Sequence, residues 1–208
     1  MYQRFVKRAL DILLSITGLV VLSPVFLLVA LLIKLDSRGP VFFRQKRVGK
    51  DKELFEILKF RTMRTDAPHD VPTHQLQQSN RYITRVGRVL RKSSVDELPQ
   101  LINILLGQMS LIGPRPALWN QDDLIAYRDK YSANSVLPGL SGWAQVNGRD
   151  ELSLEKKALR DGEYAQNVTF ALDIKCFLLT VIKVFNGAGI AEGKEGKHYT
   201  AKRTEEEP

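Results

Sequence analysis

One cysteine, Cys176, stands in 208 residues, which excludes an internal disulfide and points to a reducing compartment. It lies in an apolar helical pattern and reads as a small buried hydrophobe. Histidine is nearly as scarce, and His69 and His74 fall in a Pro- and Gln-containing stretch without periodicity, so residues 64–80 read as a loop and no metal centre is expected there. No Walker A loop and no dinucleotide fingerprint is present. Acidic residues are outnumbered 23 to 31 by lysine and arginine, and the net charge of +8 calls for an anionic partner: nucleic acid, anionic lipid and phosphorylated metabolites all fit. The length allows one domain with a real core and excludes two large ones.

Charge of either sign is missing altogether from Ile12 to Ile33. As one helix this stretch could cross a hydrocarbon core of about 30 Å at about 1.5 Å per residue. It is too long for a cleavable signal peptide and has no small-residue cleavage site. Basic residues flank both ends, Arg4, Lys7 and Arg8 before and Lys34, Arg38, Arg44, Lys46 and Arg47 after, which asks for both ends on the cytoplasmic side. Ser23-Pro24 breaks the middle, where proline removes a backbone donor and the Ser23 hydroxyl can bond a freed carbonyl one turn back. A re-entrant helical hairpin over residues 1–36 is therefore expected, with a single kinked transmembrane helix as the alternative. Membrane lipid is then an expected partner, and nucleic acid is not. Asp11, an acid at the membrane edge, calls for a partner: Lys7 or Arg8 nearby in sequence, or Asp173 or another residue of the soluble part.

The remainder predicts a mainly helical α+β fold. Val41-Phe42-Phe43 and Leu54 to Leu58 read as a small β-hairpin around a charged loop. The second strand runs into Lys59-Phe60-Arg61-Thr62-Met63, whose alternation places Lys59 and Arg61 on one face. Ile83 to Lys92 reads as a basic helix with Arg81, Arg85, Arg88 and Arg91 on a shared face. Leu137 to Arg149 is a glycine-punctuated loop able to cradle phosphate oxygens. Leu154–Gln166 predicts a helix after Ser153, and Phe170–Phe185 a helix with a strongly apolar side, destined for the core or the membrane interface. Residues 187–208, glycine and charge, read as a mobile polar tail.

Between the arginines lies Asp96-Glu97-Leu98-Pro99-Gln100, two adjacent carboxylates before an apolar helix. Leu98, Leu101, Ile102, Leu105 and Leu106 recur at helical spacing, and Pro99 belongs in a first turn, which makes Asp96 the expected N-cap and Glu97 the first helical residue. On its own such a pair is most often a cap and a first-turn acid. At a helix N-terminus it can also meet phosphate.

Taken together, Lys7-Arg8 with Asp11, the Ser23-Pro24 break, Lys59 to Met63, Asp96 to Gln100, Met109 to Pro116 and Pro138 to Arg149 resemble the monotopic phosphoglycosyl transferases, the bacterial sugar transferase family, in its minimal catalytic-domain form. Six motifs occur in order across nearly the whole chain. The resemblance implies transfer of a sugar 1-phosphate from a UDP-sugar to a polyprenol (undecaprenyl) phosphate with Mg²⁺, giving polyprenyl diphosphate sugar and UMP, the first membrane step of glycoconjugate assembly. It implies a re-entrant anchor broken at Ser23 and Pro24, a catalytic domain over 37–186, and a place on the cytoplasmic face of the bacterial inner membrane. It also implies Asp96 as nucleophile forming an aspartyl phosphosugar, Glu97 as its support, and both as metal contacts. Lys59, Arg61, Arg88, Arg115 and Arg149 become the candidate phosphate or nucleotide contacts. A homo-oligomer stays open. Two other readings compete: a membrane-attached basic adaptor binding anionic lipid, and a Mg²⁺-dependent phosphodiesterase recruiting Asp122 or Asp123.

Overall fold

A computed structural model describes residues 2–68, 79–148 and 152–185. The charge-free stretch forms two helices, α1 (Lys7–Val21, extended backwards by a π-turn over Tyr2–Val6) and α2 (Ser23–Asp36), bent by 61°. Pro24 sits in the first turn of α2, where its missing N–H has no partner to lose. The Ser23 hydroxyl donates to Val20 O at 2.8 Å, the back-bond expected of it. Among the described residues no single helix is long and apolar enough to cross a membrane, although the bent pair passes that test together by length and composition.

Strands β1 (Phe42–Val48) and β2 (Leu54–Phe60) form the antiparallel hairpin, in register from Phe42 opposite Phe60 to Val48 opposite Leu54. Then come α3 (Arg85–Ser93), a 3-10 turn over Val95–Glu97, α4 (Gln100–Leu105), β3 (Ser110–Ile112) and α5 (Asp122–Lys130). The chain continues through β4 (Gly139–Ser141), α6 (Trp143–Val146), α7 (Leu154–Gln166) and α8 (Phe170–Phe185). The fold is α+β, mostly helical, with two small sheets. Helices α7 and α8 have the bounds the sequence predicts, and Ser153 caps α7 by accepting from Lys156 N. The helix expected up to Leu106 is shorter and starts later.

Part of the expected glycine loop is a strand. β4 pairs in parallel with β3, and Gly113, Gly139 and Gly142 lie against one another: a Cβ on Gly139 would fall 2.1 Å from Gly113 N, and one on Gly142 2.0 Å from Gly113 O. Only Gly148 of the three loop glycines uses a positive φ (140°). Trp143 packs partly into the core, donates to Glu163 and carries Lys175 over its ring.

The apolar N-terminal helices share the core of the rest. Val29 and Ile33 of α2 pack with Phe60 and Leu90, while Leu19 of α1 packs on Phe55, Ile57, Leu101, Ile104 and Met109. Polar ties reinforce this. Lys7 Nζ reaches Asp173 Oδ2 at 2.7 Å, with both side chains about nine-tenths buried, and the Tyr2 and Tyr164 hydroxyls donate to the same carboxylate. Arg8 donates to Ile104 O and Leu105 O at the end of α4, and Asp11 accepts from Leu111 N of β3. At the other end, Asp36 accepts from Val86 N at the start of α3. Both ends of the bent pair are thus fastened to the same globular body.

Helix α8 has two apolar sides. Cys176, fully buried with its thiol pushed up to about 11 by burial, packs with Ile112, Val146 and Tyr164, as a structural cysteine should. Ile174, Phe177, Leu178 and Ile182 face outward, as do Leu13, Leu14, Val20 and Val21 of α1 and Leu27, Leu28, Leu31 and Leu35 of α2. Exposed apolar surface on this scale marks contact with a membrane or a partner.

Candidate active site

Helix α3 ends where Ser94 turns left-handed (φ 58°), and the chain re-enters as the 3-10 turn that carries both carboxylates. Pro99, rather than Asp96, occupies the N-cap position of α4, so the expected cap is corrected: Asp96 and Glu97 lie one turn earlier, outside the α-helix. A left-handed serine costs about 1 kcal/mol or more, and such outliers concentrate at working sites. Here it takes the chain out of α3 and into the turn that carries both acids, which share Lys59 and Arg115 as charged neighbours.

Glu97 is locked. Lys59, at the end of β2, donates to its Oε1 at 2.7 Å; Arg115, in the segment after β3, donates to the same oxygen at 2.6 Å and approaches Oε2 at 3.4 Å. The Lys59 and Glu97 side chains are 14% exposed, and Arg115 is 37% exposed. Burial alone would raise the Glu97 carboxyl, but Arg115 and Lys59 hold it well below the usual carboxylate range. Asp96 shows the opposite balance. Burial pushes its pKa up and the neighbouring Glu97 charge adds to the rise, against the pull of Lys59, Arg91 and Arg115. Among the described residues none donates a hydrogen bond to the Asp96 carboxylate. The dyad is therefore one committed anion beside one desolvated carboxylate whose oxygens are available, surrounded by cations.

The structure brings Lys59 and Arg115 to the dyad and separates Arg61 from it. The Arg61 guanidinium is buried and donates to Ser37 O and Arg38 O just beyond α2, where a cation suits a helix C-terminus. Arg88 is exposed on α3. Arg91, one turn later, is the helix cation that acts on Asp96, and it also donates to Thr62 Oγ1. Arg149, the loop 69–78 and the tail lie outside the described residues.

Arg47 was not marked by any motif. Its pKa falls to about 10 through burial and the adjacent Arg115, which leaves it charged at neutral pH, and it donates to Pro116 O and Gln45 Oε1. The register of β1 with the chain at Ala117, where Val48 N meets Ala117 O, is the only signal that would have found it, and that register is tertiary. Asp122 and Asp123 are exposed on α5. No group of three or more acids, histidines or cysteines able to hold a metal exists among the described residues, so the phosphodiesterase reading gains nothing here.

The chain that carries this unequal pair of carboxylates among cations matches a known family. The model described as bacterial sugar transferase matches residues 2–187, and the chain belongs to that family. It is 42% identical over 198 residues to the uncharacterized sugar transferase EpsL of Bacillus subtilis, covering 95% of this chain and 94% of that one. It is 43% identical over 185 residues to the undecaprenyl-phosphate glucose phosphotransferase of Komagataeibacter xylinus, covering 84% of this chain and 35% of that protein. Against the UDP-glucose:undecaprenyl-phosphate glucose-1-phosphate transferase of Escherichia coli K12 the identity is 41% over 195 residues, covering 88% and 40%. The chain thus spans well under half the length of the latter two relatives.

Proposed function

We propose that this protein transfers a sugar 1-phosphate from a UDP-sugar to undecaprenyl phosphate, releasing UMP, on the cytoplasmic face of the bacterial inner membrane. The observation that carries the reading is the unequal dyad: Glu97 is neutralised by Lys59 and Arg115, while Asp96 keeps two available oxygens in a desolvated, cation-lined site. The names of the relatives support the substrates, and glucose is the sugar in several of them.

An Asp96 oxygen attacks the β-phosphorus of the UDP-sugar as the bond from that phosphorus to the bridging oxygen breaks, and UMP departs with the electron pair. The aspartyl phosphosugar is an acyl phosphate. An oxygen of undecaprenyl phosphate then attacks the same phosphorus, and Asp96 leaves as carboxylate. Burial makes Asp96 a better nucleophile by stripping its water, and Lys59, Arg91 and Arg115 neutralise the approaching polyanion. Asp96 fits a Mg²⁺ ion, which when bound would offset diphosphate charge. Glu97 fits it less well, because Oε1 is already shared by two cations. No larger cluster of metal-binding side chains joins the dyad among the described residues, so water and substrate phosphates would supply other ligands.

The two fastened ends of α1 and α2 support a re-entrant anchor, since a helix tied to one body at Lys7 and again at Asp36 cannot leave one of those ends across the bilayer. The outward apolar faces of α1, α2 and α8 would then lie in one leaflet, which brings the lipid phosphate to the protein's surface layer.

The test is UMP release by the full chain in lipid nanodiscs from a panel of UDP-sugars, with Mg²⁺ and undecaprenyl phosphate. Wild type should act on one sugar and form an acid-stable, Asp96-linked phosphosugar detectable by peptide mass spectrometry, and Asp96→Asn should do neither. Turnover retained in Asp96→Asn would overturn the nucleophile, and silence of folded wild type on the whole panel would favour the lipid-binding adaptor.

A further inference from the structure

Arg115 holds Glu97, yet it emerges from a short segment, Pro114-Arg115-Pro116, with no helix or strand of its own. Gly139 N holds Pro114 O and Arg47 holds Pro116 O, and a third group, a buried arginine, holds the peptide of Arg115 itself. Arg128 of α5 donates through Nη2 to Arg115 O at 2.9 Å, and through Nε and Nη2 to Asp161 Oδ2 of α7 at 2.9 and 2.6 Å. The pair is almost fully enclosed, with side chains 6% and 2% exposed. Burial raises the Asp161 pKa while Arg128 draws it back.

A buried ion pair contributes little net stability over apolar side chains of the same volume, so its presence asks for another reason. The surroundings are built to keep it still. Leu124 of α5 and Ala158 of α7 share a core cluster with Val48 and Ala117, and a Cβ on Gly162 would lie 2.4 Å from Tyr131 Cβ, so α5 and α7 touch beside the pair. Asp161 fixes the plane of the guanidinium, and the second Nη2 hydrogen is thereby presented to one peptide carbonyl, Arg115 O. The charges that bear most on Asp96 are Lys59, Glu97, Arg91 and Arg115. Arg128 is not among them. Its described route to the dyad is the Arg115 backbone.

We propose that Arg128, oriented by Asp161, is a positioning residue for the transfer reaction: it sets the Arg115 peptide so that the Arg115 guanidinium meets Glu97 and the substrate phosphate together. This rests on the transferase reading above. A residue acting through another has a signature that plain structural support lacks, which is that its effect vanishes once the other is removed.

The experiment is a double-mutant cycle on UMP release from UDP-glucose by the full chain in nanodiscs, using Arg128→Lys, Arg115→Ala and both together. Lysine keeps the charge against Asp161 and loses the fork. Arg128→Lys should lower kcat/KM by about ten- to a hundredfold, mostly in kcat, as a misplacement near 1 Å would. In the Arg115→Ala background the same change should have less than about a twofold effect. Equal losses in both backgrounds, or no loss in the first, overturn the proposal. Asp161→Asn, which keeps an acceptor for Arg128, provides the second variant and should show the same dependence on Arg115. If neither variant folds, the pair is a stability element and the proposal falls. If wild type releases UMP from no UDP-sugar, the transferase reading fails first and takes this one with it.

Discussion

Glu97→Gln tests the electrostatic reading of the dyad most sharply. The change keeps size and one acceptor oxygen but leaves Lys59, nine-tenths enclosed, and Arg115 without their shared counter-charge. Removing one member of a buried pair costs about 3–5 kcal/mol. Arg115, 37% exposed, regains water and reduces this to about 2–3 kcal/mol. At about 2–4 °C per kcal/mol for a chain of this size, the unfolding midpoint should fall by about 4–12 °C. Because the Glu97 pKa is depressed by folding, its contribution is present above the ordinary value of 4.5 and is lost as pH falls through the folded value, so the gap between wild type and variant should be constant near neutrality and close in acid. The kinetic signature points the other way. Glu97 helps to hold the Asp96 pKa up, and its removal also turns Lys59 and Arg115 toward Asp96, so the acid limb of kcat/KM should move to lower pH even as the rate falls by about a hundredfold with the loss of organised donors. Scanning calorimetry and a pH profile of UMP release in nanodiscs measure both. An unchanged midpoint, or an acid limb displaced upward, would refute the reasoning.

Three further outcomes follow from the same geometry. Lys7→Met leaves Asp173 buried with only the Tyr2 and Tyr164 hydroxyls, and should destabilise the chain by about 3 kcal/mol, read as a lowered unfolding midpoint in nanodiscs. Arg61→Lys loses one of two charged bonds to Ser37 O and Arg38 O; it should cost about 2 kcal/mol of stability while leaving KM for the UDP-sugar unchanged, whereas a raised KM would return Arg61 to the substrate site. Chelation should abolish turnover reversibly without lowering the unfolding midpoint, since the described residues hold no cluster of three metal-binding side chains; a large drop would mean a structural metal.

Long periodic segments were legible in the sequence: α7 and α8 follow from their spacing, and the hairpin from two β-rich runs around a charged loop. The dyad's identity was legible too, but not its conformation. Nothing local requires Ser94 to adopt a positive φ, so the helix pattern after Pro99 was extended back over Asp96. β3 and β4 have three residues each, too few for a period to show, and exist because glycines let two backbones meet. Alternation put Lys59 and Arg61 on one face, and the strand ends between them at Phe60; the vacant carbonyls beyond α2, a tertiary fact, decide where Arg61 goes.

The ties between Tyr2, Lys7 and Asp173 set a timetable as well as a contact. The partners lie 171 and 166 residues apart in the chain, so α1 reaches its carboxylate only when almost all of the described chain has followed it from the ribosome. At synthesis rates of about 5–20 residues per second that is a delay of roughly ten to thirty seconds. During it the apolar faces of α1 and α2 lack the core they share with β2 and α4, and Lys7 and Asp11 have neither Asp173 nor Leu111 to meet. A version trimmed of residues 1–36 would not be a smaller soluble enzyme: it would lack the helix that closes α4, pairs Asp173 and pins β3 beside Arg115.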